Sequence, residues 1–401
     1  MMKTNENPTL WEESVQPGYY KKLDKDIQTE VLVIGGGISG ITTAYNLQKA
    51  GKKVTLIEQA TIGSGQTART TAHLTYCLDI RYFQLIKQLG IQNVRTVANS
   101  HMASIEWMDR IIRHERINCN FKRISGYLFS IHSAEMVQKE YLAMQDLGII
   151  AEMINYIPGL KEKQSQACIC FPEQAQFHAL KYLKGLTNAA LNMGVHIYNH
   201  TAAGSIQKNT AKANGYTITA EYIVITANTA LNTPELNISQ TKFRSYVIGI
   251  KIPKGQLPYS LWWEVEDSGN EKEFAPYHYA RLENFDDLND LFIVGGEDRE
   301  IEGTTPDENL KFGRLLEWAS QRFAIKGKPE YQWSGTISYS NDGLPFIGRY
   351  RYNNHYIISG DSGSGINYAT IGSRIITDSI CGVENNWEAV YSPSRIVYEP
   401  K

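Results

Sequence analysis

Gly35, Gly37 and Gly40 follow the apolar run 31–34 in the spacing G-x-G-x-x-G, inside "TEVLVIGGGISGITTAYNLQKAGKKVTLIEQ". This spacing suits binding rather than bond-making. Gly35 permits a tight turn, Gly37 lets the main chain approach a pyrophosphate, and Gly40 lets helix and strand pack closely. A helix opening at Ile38 and Ser39 would aim unpaired N–H groups at that anion. The next apolar run, 53–57, ends in Glu58, which can accept from ribose hydroxyls, with Gln59 beside it. Strand, turn, helix, strand and acid occur in the order a dinucleotide site requires.

Other stretches carry possible chemistry. "GSGQTARTTAHL", 63–74, is a loop of small polar residues behind the acid. In "FAPYHYARL", strand alternation puts Tyr277, Tyr279 and Arg281 on one face and His278 on the other. In "KFRSYVIGIKI", Arg244 and Tyr246 share a face. These residues and His73 are the substrate-site candidates. "FIVGGEDREIEG" has a glycine pair after a strand, but acids and no helix follow, so a second dinucleotide site and a nicotinamide reductant are not implied. Cys168 and Cys170 in "QACICFPE" lack the second pair that a zinc site needs, and no metal is expected.

Positioning these residues requires α/β units and an antiparallel sheet. Helical patterns occupy 80–117, with a break near Gly90, and 177–194. "VHIYN" and "EYIVITA" are strands able to join the first sheet, and 121–157 holds strands around a short helix. From 243 to 296 strands follow one another without long helices. "TTPDENLKFGRLLEWASQRF" is a helix with Thr305 and Glu308 in capping-box spacing and Pro306 in the first turn. "HYIISGDSGSGINYATIGSRIITDSI" reads strand, glycine loop, helix. The fold class is α/β plus antiparallel β: a Rossmann-like domain with a second, discontinuous substrate domain built on an antiparallel sheet. The expected partition is an N-terminal arm, 1–27; the dinucleotide domain, 28–118, 159–232 and 335–385; the substrate domain, 119–158 and 233–334; and a C-terminal tail, 386–401.

The 401 residues carry a net charge of −2. That balance argues against a nucleic-acid partner. No apolar run reaches membrane-spanning length, and 1–30 lacks the apolar core of a signal peptide. Five scattered cysteines suggest reduced thiols and a cytoplasmic location.

The segment "DGLPFIG", 342–348, precedes the last strand and the loop with Gly360, Gly363 and Gly365. With the opening fingerprint, it resembles the FAD-dependent amine and amino-acid oxidases of the D-amino-acid oxidase, glycine oxidase and sarcosine oxidase type, over nearly the whole chain. The resemblance is closest to a subgroup often fused to a Rieske domain, through "PTLWEES", "GSGQTARTTAHL", "QAQFHALKYL", "PYHYAR" and "VGGEDRE". A Rieske cluster's Cys-x-His with a later Cys-x-x-His does not occur in these residues, so that domain is expected to be absent.

The resemblance implies FAD as cofactor. Gln66 and Thr67 would meet its phosphate–ribitol region, Thr71, Ala72 and His73 its ring, with Ala203 and Ala227 also lining its site. Gly360, Gly363, Gly365 and Ile366 would stabilise charge at the pyrimidine end. Ser334, Gly335 and Thr336 stand where tethering relatives carry cysteine, so the FAD is expected to be non-covalent. Ile337 replaces the arginine with which glycine-oxidase-like members hold a carboxylate, so an amine handled differently is expected. The implied activity is hydride transfer from a C–N bond of a small amine or amino acid to flavin, with electrons passed to dioxygen or a separate acceptor protein. No catalytic residue is assigned. An NAD-dependent dehydrogenase and a non-catalytic flavin-binding protein are the alternatives.

Overall fold

The computed structural model describes residues 7–131, 133–161, 167–227, 240–265, 277–301 and 307–395. The strand Ile27–Ile34 lies between Tyr216–Ile225 and Val54–Ile57, parallel to both. His196–Tyr198 and His355–Ser359 extend the parallel set at either end. Phe346–Arg349 closes one edge antiparallel, and the hairpin of Ala203–Gln207 and Thr210–Ala213 completes an eight-stranded sheet. Val31, Leu32, Val33 and Ile34 are buried on both faces, which is why they read as an unbroken apolar run.

The helix Ile38–Lys49 follows the first strand at once and ends before Gly51, whose φ is +86°. It packs against Gly365–Ile380, the helix behind the last glycine loop. Gly90, at φ +79°, separates the helices Tyr82–Leu89 and Ile91–His114. Val94, Val97, Ala98, Ile105, Met108 and Ile112 form the buried face of the longer one, at helical spacing.

The second sheet has nine strands. Its path runs Pro329–Ser340, Gln240–Pro253, Asn289–Glu300, Tyr277–Asn284, Leu261–Val265, Lys122–Ser130, Ala167–Gln176 and His73–Leu74, with Glu152–Ile154 alongside. All its pairings are antiparallel except that of Leu261–Val265 with Lys122–Ser130. Tyr246, Ile248, Ile250 and Ile252 pack one face on Phe312, Leu315, Trp318 and Phe323 of the helix Glu308–Phe323. The alternate residues Ser245 and Val247 look the other way, into the cavity described below.

Sheet membership cuts across the expected partition. His73–Leu74, Ala167–Gln176 and residues 335–340 of the strand Pro329–Ser340 hydrogen-bond in the second sheet, although those segments were expected in the dinucleotide domain. Local pattern does not say which sheet takes each of these strands. Thr305 and Pro306 lie outside the described residues; the visible cap of that helix is Asp307, whose Oδ1 accepts from Asn309 N at 3.0 Å. The N-terminal arm contains the helix Leu10–Ser14, with a Thr9–Glu12 capping box and Trp11 fully buried. At the other end, Arg395 grips both oxygens of Asp342 at 2.7 and 2.9 Å, pinning the turn of "DGLPFIG".

Candidate functional site: a cavity between two sheets

One cavity of about 550 Å³ runs from the glycine turn after the first strand, along the loop 63–73, to Ser245, Val247 and Tyr279 of the second sheet. At its first end the glycines have separate tasks. Gly35 sits at φ +114°, and a Cβ on Gly40 would overlap the Gly35 carbonyl, so turn geometry and packing explain both. Gly37 is different. Its φ is −78°, and a Cβ there would meet only Thr67 Oγ1, at 3.2 Å. The protein's own atoms do not require glycine at 37; the space is left to what enters the cavity.

Gly37, the residue that caps the helix Ile38–Lys49, has no side chain to offer it, and the helix's first turn faces this space. Ile38 N donates to Thr67 Oγ1 at 3.0 Å. Glu58 accepts from Gly36 N at 2.6 Å and Ala60 N at 2.8 Å, and its carboxylate retains acceptor positions for hydroxyl groups. Gln59 and Ala203 line the same end, and Ala227 lies beside the turn. At the far end the helix Gly365–Ile380 is likewise without a side-chain cap, and Gly360, Gly363, Gly365 and Ile366 line the cavity. Two open helix N-termini thus face one cavity, a donor set suited to a pyrophosphate at one end and an electron-rich ring at the other. These residues fit FAD.

The loop between them is held from behind. Three successive carbonyls are each taken by a buried side chain: Arg69 O by Trp333 Nε1 at 2.9 Å, Thr70 O by Trp11 Nε1 at 2.7 Å, and Thr71 O by Arg281 Nε at 2.6 Å. Gln66, Thr67, Thr71 and His73 line the cavity. Ala72 is fully buried behind it, at φ +57°, where it turns the chain so that His73 can pair with Gln176. His73 Nδ1 meets Thr71 Oγ1 at 3.0 Å, and its ring lies against Trp263 and Tyr279. Burial pushes its pKa down to about 3, so the imidazole is neutral.

The substrate-site candidates part company. Tyr279 faces the cavity and bonds Ser245 Oγ at 3.2 Å. Tyr277 stacks on Tyr279, 5.7 Å between centroids, and donates to Asp298 at 2.8 Å. Arg281 is fully buried, with Thr71 O, Phe177 O and Glu283 as partners, so it positions the loop and is not a substrate contact. Tyr246 points to the opposite face of the sheet and accepts from Arg299 Nε at 2.9 Å. Arg244 bonds Glu308 and Ser334. The expected strand face was off by one residue: Ser245 and Val247 line the cavity. Arg244 and Tyr246 alternate with them as expected, but their side of the strand is turned to the helix Glu308–Phe323 and not to the cavity; the bulge that sets Glu297 and Asp298 opposite Ser245 lies on the partner strand. Trp11, Trp333, Asp79, Asp298 and Asp361 were missed. A lone tryptophan or aspartate far along the chain gives no local signal.

Residues 30–379 match the family described as FAD dependent oxidoreductase (DAO). The chain is 26% identical to the putative Rieske 2Fe-2S iron-sulfur protein YhfW of Bacillus subtilis, over 98% of this chain and 76% of that protein. It is 24% identical to the gamma-glutamylputrescine oxidoreductase of Escherichia coli, over 92% and 88% of the two chains. Among solved structures, a glycine oxidase from Geobacillus kaustophilus superposes with a TM-score of 0.75 at 16% identity, over 92% of this chain and 100% of that one.

Proposed function

The chain belongs to the FAD-dependent oxidoreductase family, and from that premise we propose that it oxidises the C–N bond of a small amine with FAD held non-covalently. FAD, when bound, supplies the hydride acceptor. Relatives named for acting on glycine and on gamma-glutamylputrescine support the substrate class. The family assignment selects FAD over the nicotinamide alternative.

The observation that carries this reading is the single cavity joining two open helix N-termini. Gly37, Ile38 and Ser39 would receive the pyrophosphate, and Glu58 the ribose. Thr71, His73 and Gly363 would border the ring, where the helix Gly365–Ile380 favours negative charge. Ser245, Val247, Tyr279 and Ile337 would enclose the substrate and exclude water. No cysteine lines the cavity among the described residues, in keeping with untethered FAD. Neutral His73 accepts no further charge at physiological pH and serves as an uncharged wall beside the reacting carbon.

Electrons would then pass to dioxygen, giving hydrogen peroxide, or to a separate carrier protein, and we favour dioxygen. No helix among the described residues is long and apolar enough to cross a membrane. The five cysteines are unpaired, and we place the protein in the reducing cytoplasm.

The test is anaerobic mixing of the yellow protein with a panel of amines. Bleaching of the flavin band by an amine supports the reading. Intact FAD that no amine or amino acid reduces leaves the non-catalytic alternative standing.

A further inference from the structure

The loop 360–364 joins the strand His355–Ser359 to the helix Gly365–Ile380, and Ser364, which caps that helix, makes no side-chain hydrogen bond to it. The loop carries one acid. Asp361 lines the cavity and is only part-buried, because the cavity reaches it. Its Oδ1 accepts from Ser338 N at 3.1 Å, and the Gly363 N–H holds the carboxylate as well. A carboxylate offers about four acceptor positions, so two amides leave it room for a proton. No lysine or arginine forms a salt bridge with it among the described residues.

The elements packed around the loop add no cation that reaches Asp361. Ahead of the helix Tyr82–Leu89, Asp79 lies against the loop, where a Cβ on Gly363 would overlap its Oδ2; Arg81 acts on Asp79 from behind. The strand Pro329–Ser340 brings Tyr339, which donates to Asp79 at 3.0 Å. The strand Gln240–Pro253 brings uncharged Gln240, which donates to Ser359 Oγ at 3.1 Å. Tyr368, on the helix Gly365–Ile380, also lines the cavity, and burial keeps its hydroxyl protonated. Arg69, the arginine that lines the cavity, is committed to Asn7 O and Glu12. Glu58 stands at the other end, beside the glycine turn.

An open helix N-terminus favours one negative charge. Here an ionised acid already stands in the loop that leads into the helix, where reduction of the flavin would place another. Two like charges so close raise the proton affinity of the acid. We propose that Asp361 takes up a proton as the flavin is reduced and gives it back when dioxygen reoxidises it. This rests on the placement of FAD proposed above, with the ring beside Gly363, and adds the proton acceptor of that site. The count closes. The substrate ammonium gives up one proton to become the amine, its C–H bond then breaks with loss of hydride, and an iminium remains. Asp361 gains one proton while the ring gains the hydride, so ring and acid together carry one negative charge before and after. On reoxidation the hydride equivalent and the Asp361 proton convert dioxygen to hydrogen peroxide, and the carboxylate is restored. The Asp361 pKa, held up to about 6 chiefly by desolvation, keeps the acid ionised at pH 7 before reduction and ready to accept a proton after it.

The test is potentiometric titration of the holoenzyme and of its Asp361→Asn variant, with mediator dyes, from pH 5 to pH 8. Above about pH 6 the wild-type potential should fall more steeply with pH than that of the variant, by one further proton per two electrons. Sulfite, which adds to an oxidised flavin and leaves it anionic, gives a second readout. At pH 7, one unit above the acid's own value, protonating Asp361 costs the wild type about tenfold. Asp361→Asn should therefore bind sulfite about tenfold more tightly than wild type at pH 7, and equally at pH 5. Asp361→Glu, which keeps a carboxyl, should recover the steeper slope. Asparagine retains an oxygen for the Ser338 amide, so a role confined to holding the loop would leave both readouts unchanged. Parallel slopes with equal sulfite affinity at pH 7 overturn the proposal. If Asp361→Asn does not fold, the wild-type slope decides: one proton per two electrons throughout overturns the proposal, and a second proton above about pH 6 supports it. Neither readout uses an amine, so the steeper slope in a protein whose flavin no amine bleaches supports proton uptake and overturns amine oxidation.

Discussion

Gly37 leaves its backbone open to the cavity, with only Thr67 Oγ1 near a Cβ placed there. Gly37→Val meets little among the protein's own atoms beyond Thr67, so the variant should fold and melt near the FAD-free wild type, yet purify colourless. Flavin content per folded protein measures this, and normal occupancy would contradict the pyrophosphate placement. Asp298 is shielded from water. Its pKa rises from the ordinary 3.8 to about 6, chiefly through desolvation, and that of Asp361 likewise to about 6. A raised carboxyl binds its proton more tightly folded than unfolded. Its stabilising contribution is complete below pH 3.8 and is lost as pH rises through about 6. Buried His73, His101 and His178, held below their ordinary 6.5, act in the opposite sense. The readout is therefore the difference between wild type and Asp298→Asn. The variant's advantage in melting temperature should grow from pH 4 toward pH 7 and then level off, and a constant difference would deny the shift.

The glycine fingerprint and Glu58 were legible because their spacing is local and each task lies within one βαβ unit. The Arg244 and Tyr246 assignment failed for the converse reason. Alternation along Gln240–Pro253 holds, with Tyr246, Ile248, Ile250 and Ile252 on one face and Ser245 and Val247 on the other, but which face meets the helix Glu308–Phe323 and which the cavity is decided by packing partners far along the chain, a separation that pattern reading cannot bridge.

Among elements, the loop 66–73 is the most dependent on others. It contributes small side chains and is shaped by Trp11, Arg281 and Trp333 from a helix and two strands. The Trp11 indole also lies 5.4 Å from the Arg281 guanidinium and packs edge-on against His178. Trp11→Phe keeps most of the buried ring and removes the donor to Thr70 O. It should cost about 1–3 kcal/mol of stability, since that carbonyl is left without its partner. It should also speed FAD loss on dilution more than an exposed control substitution such as Leu288→Ala does. Equal dissociation rates would show that the indole only fills space. The resemblance identified "PTLWEES" as characteristic but gave no reason for the tryptophan; the hydrogen bond to the loop supplies one.

At the scale of the molecule, the two-sheet plan was visible in the order of elements: α/β units at both ends and in the middle, with strands alone between 243 and 296. The owner of each isolated strand was not. His73–Leu74 pairs with Ala167–Gln176 because the loop must cross from one sheet to the other along the cavity, and only the assembled molecule shows that crossing. The cavity consequently belongs to neither sheet. A fragment carrying the fingerprint alone, 28–118, should not retain FAD, which dialysis against the flavin would show.

The side chains that grip the loop come from positions 11, 281 and 333, so this short stretch spans almost the whole order of synthesis. While the ribosome is still making the last third of the chain, the fingerprint can already fold, yet the bed for the ring has no back. Flavin capture then becomes a timer for completion. In refolding from denaturant, quenching of flavin fluorescence should lag the recovery of helical circular dichroism and coincide with the slowest phase, in which the most distant contacts close. Quenching that precedes that phase would mean the loop takes its shape unaided.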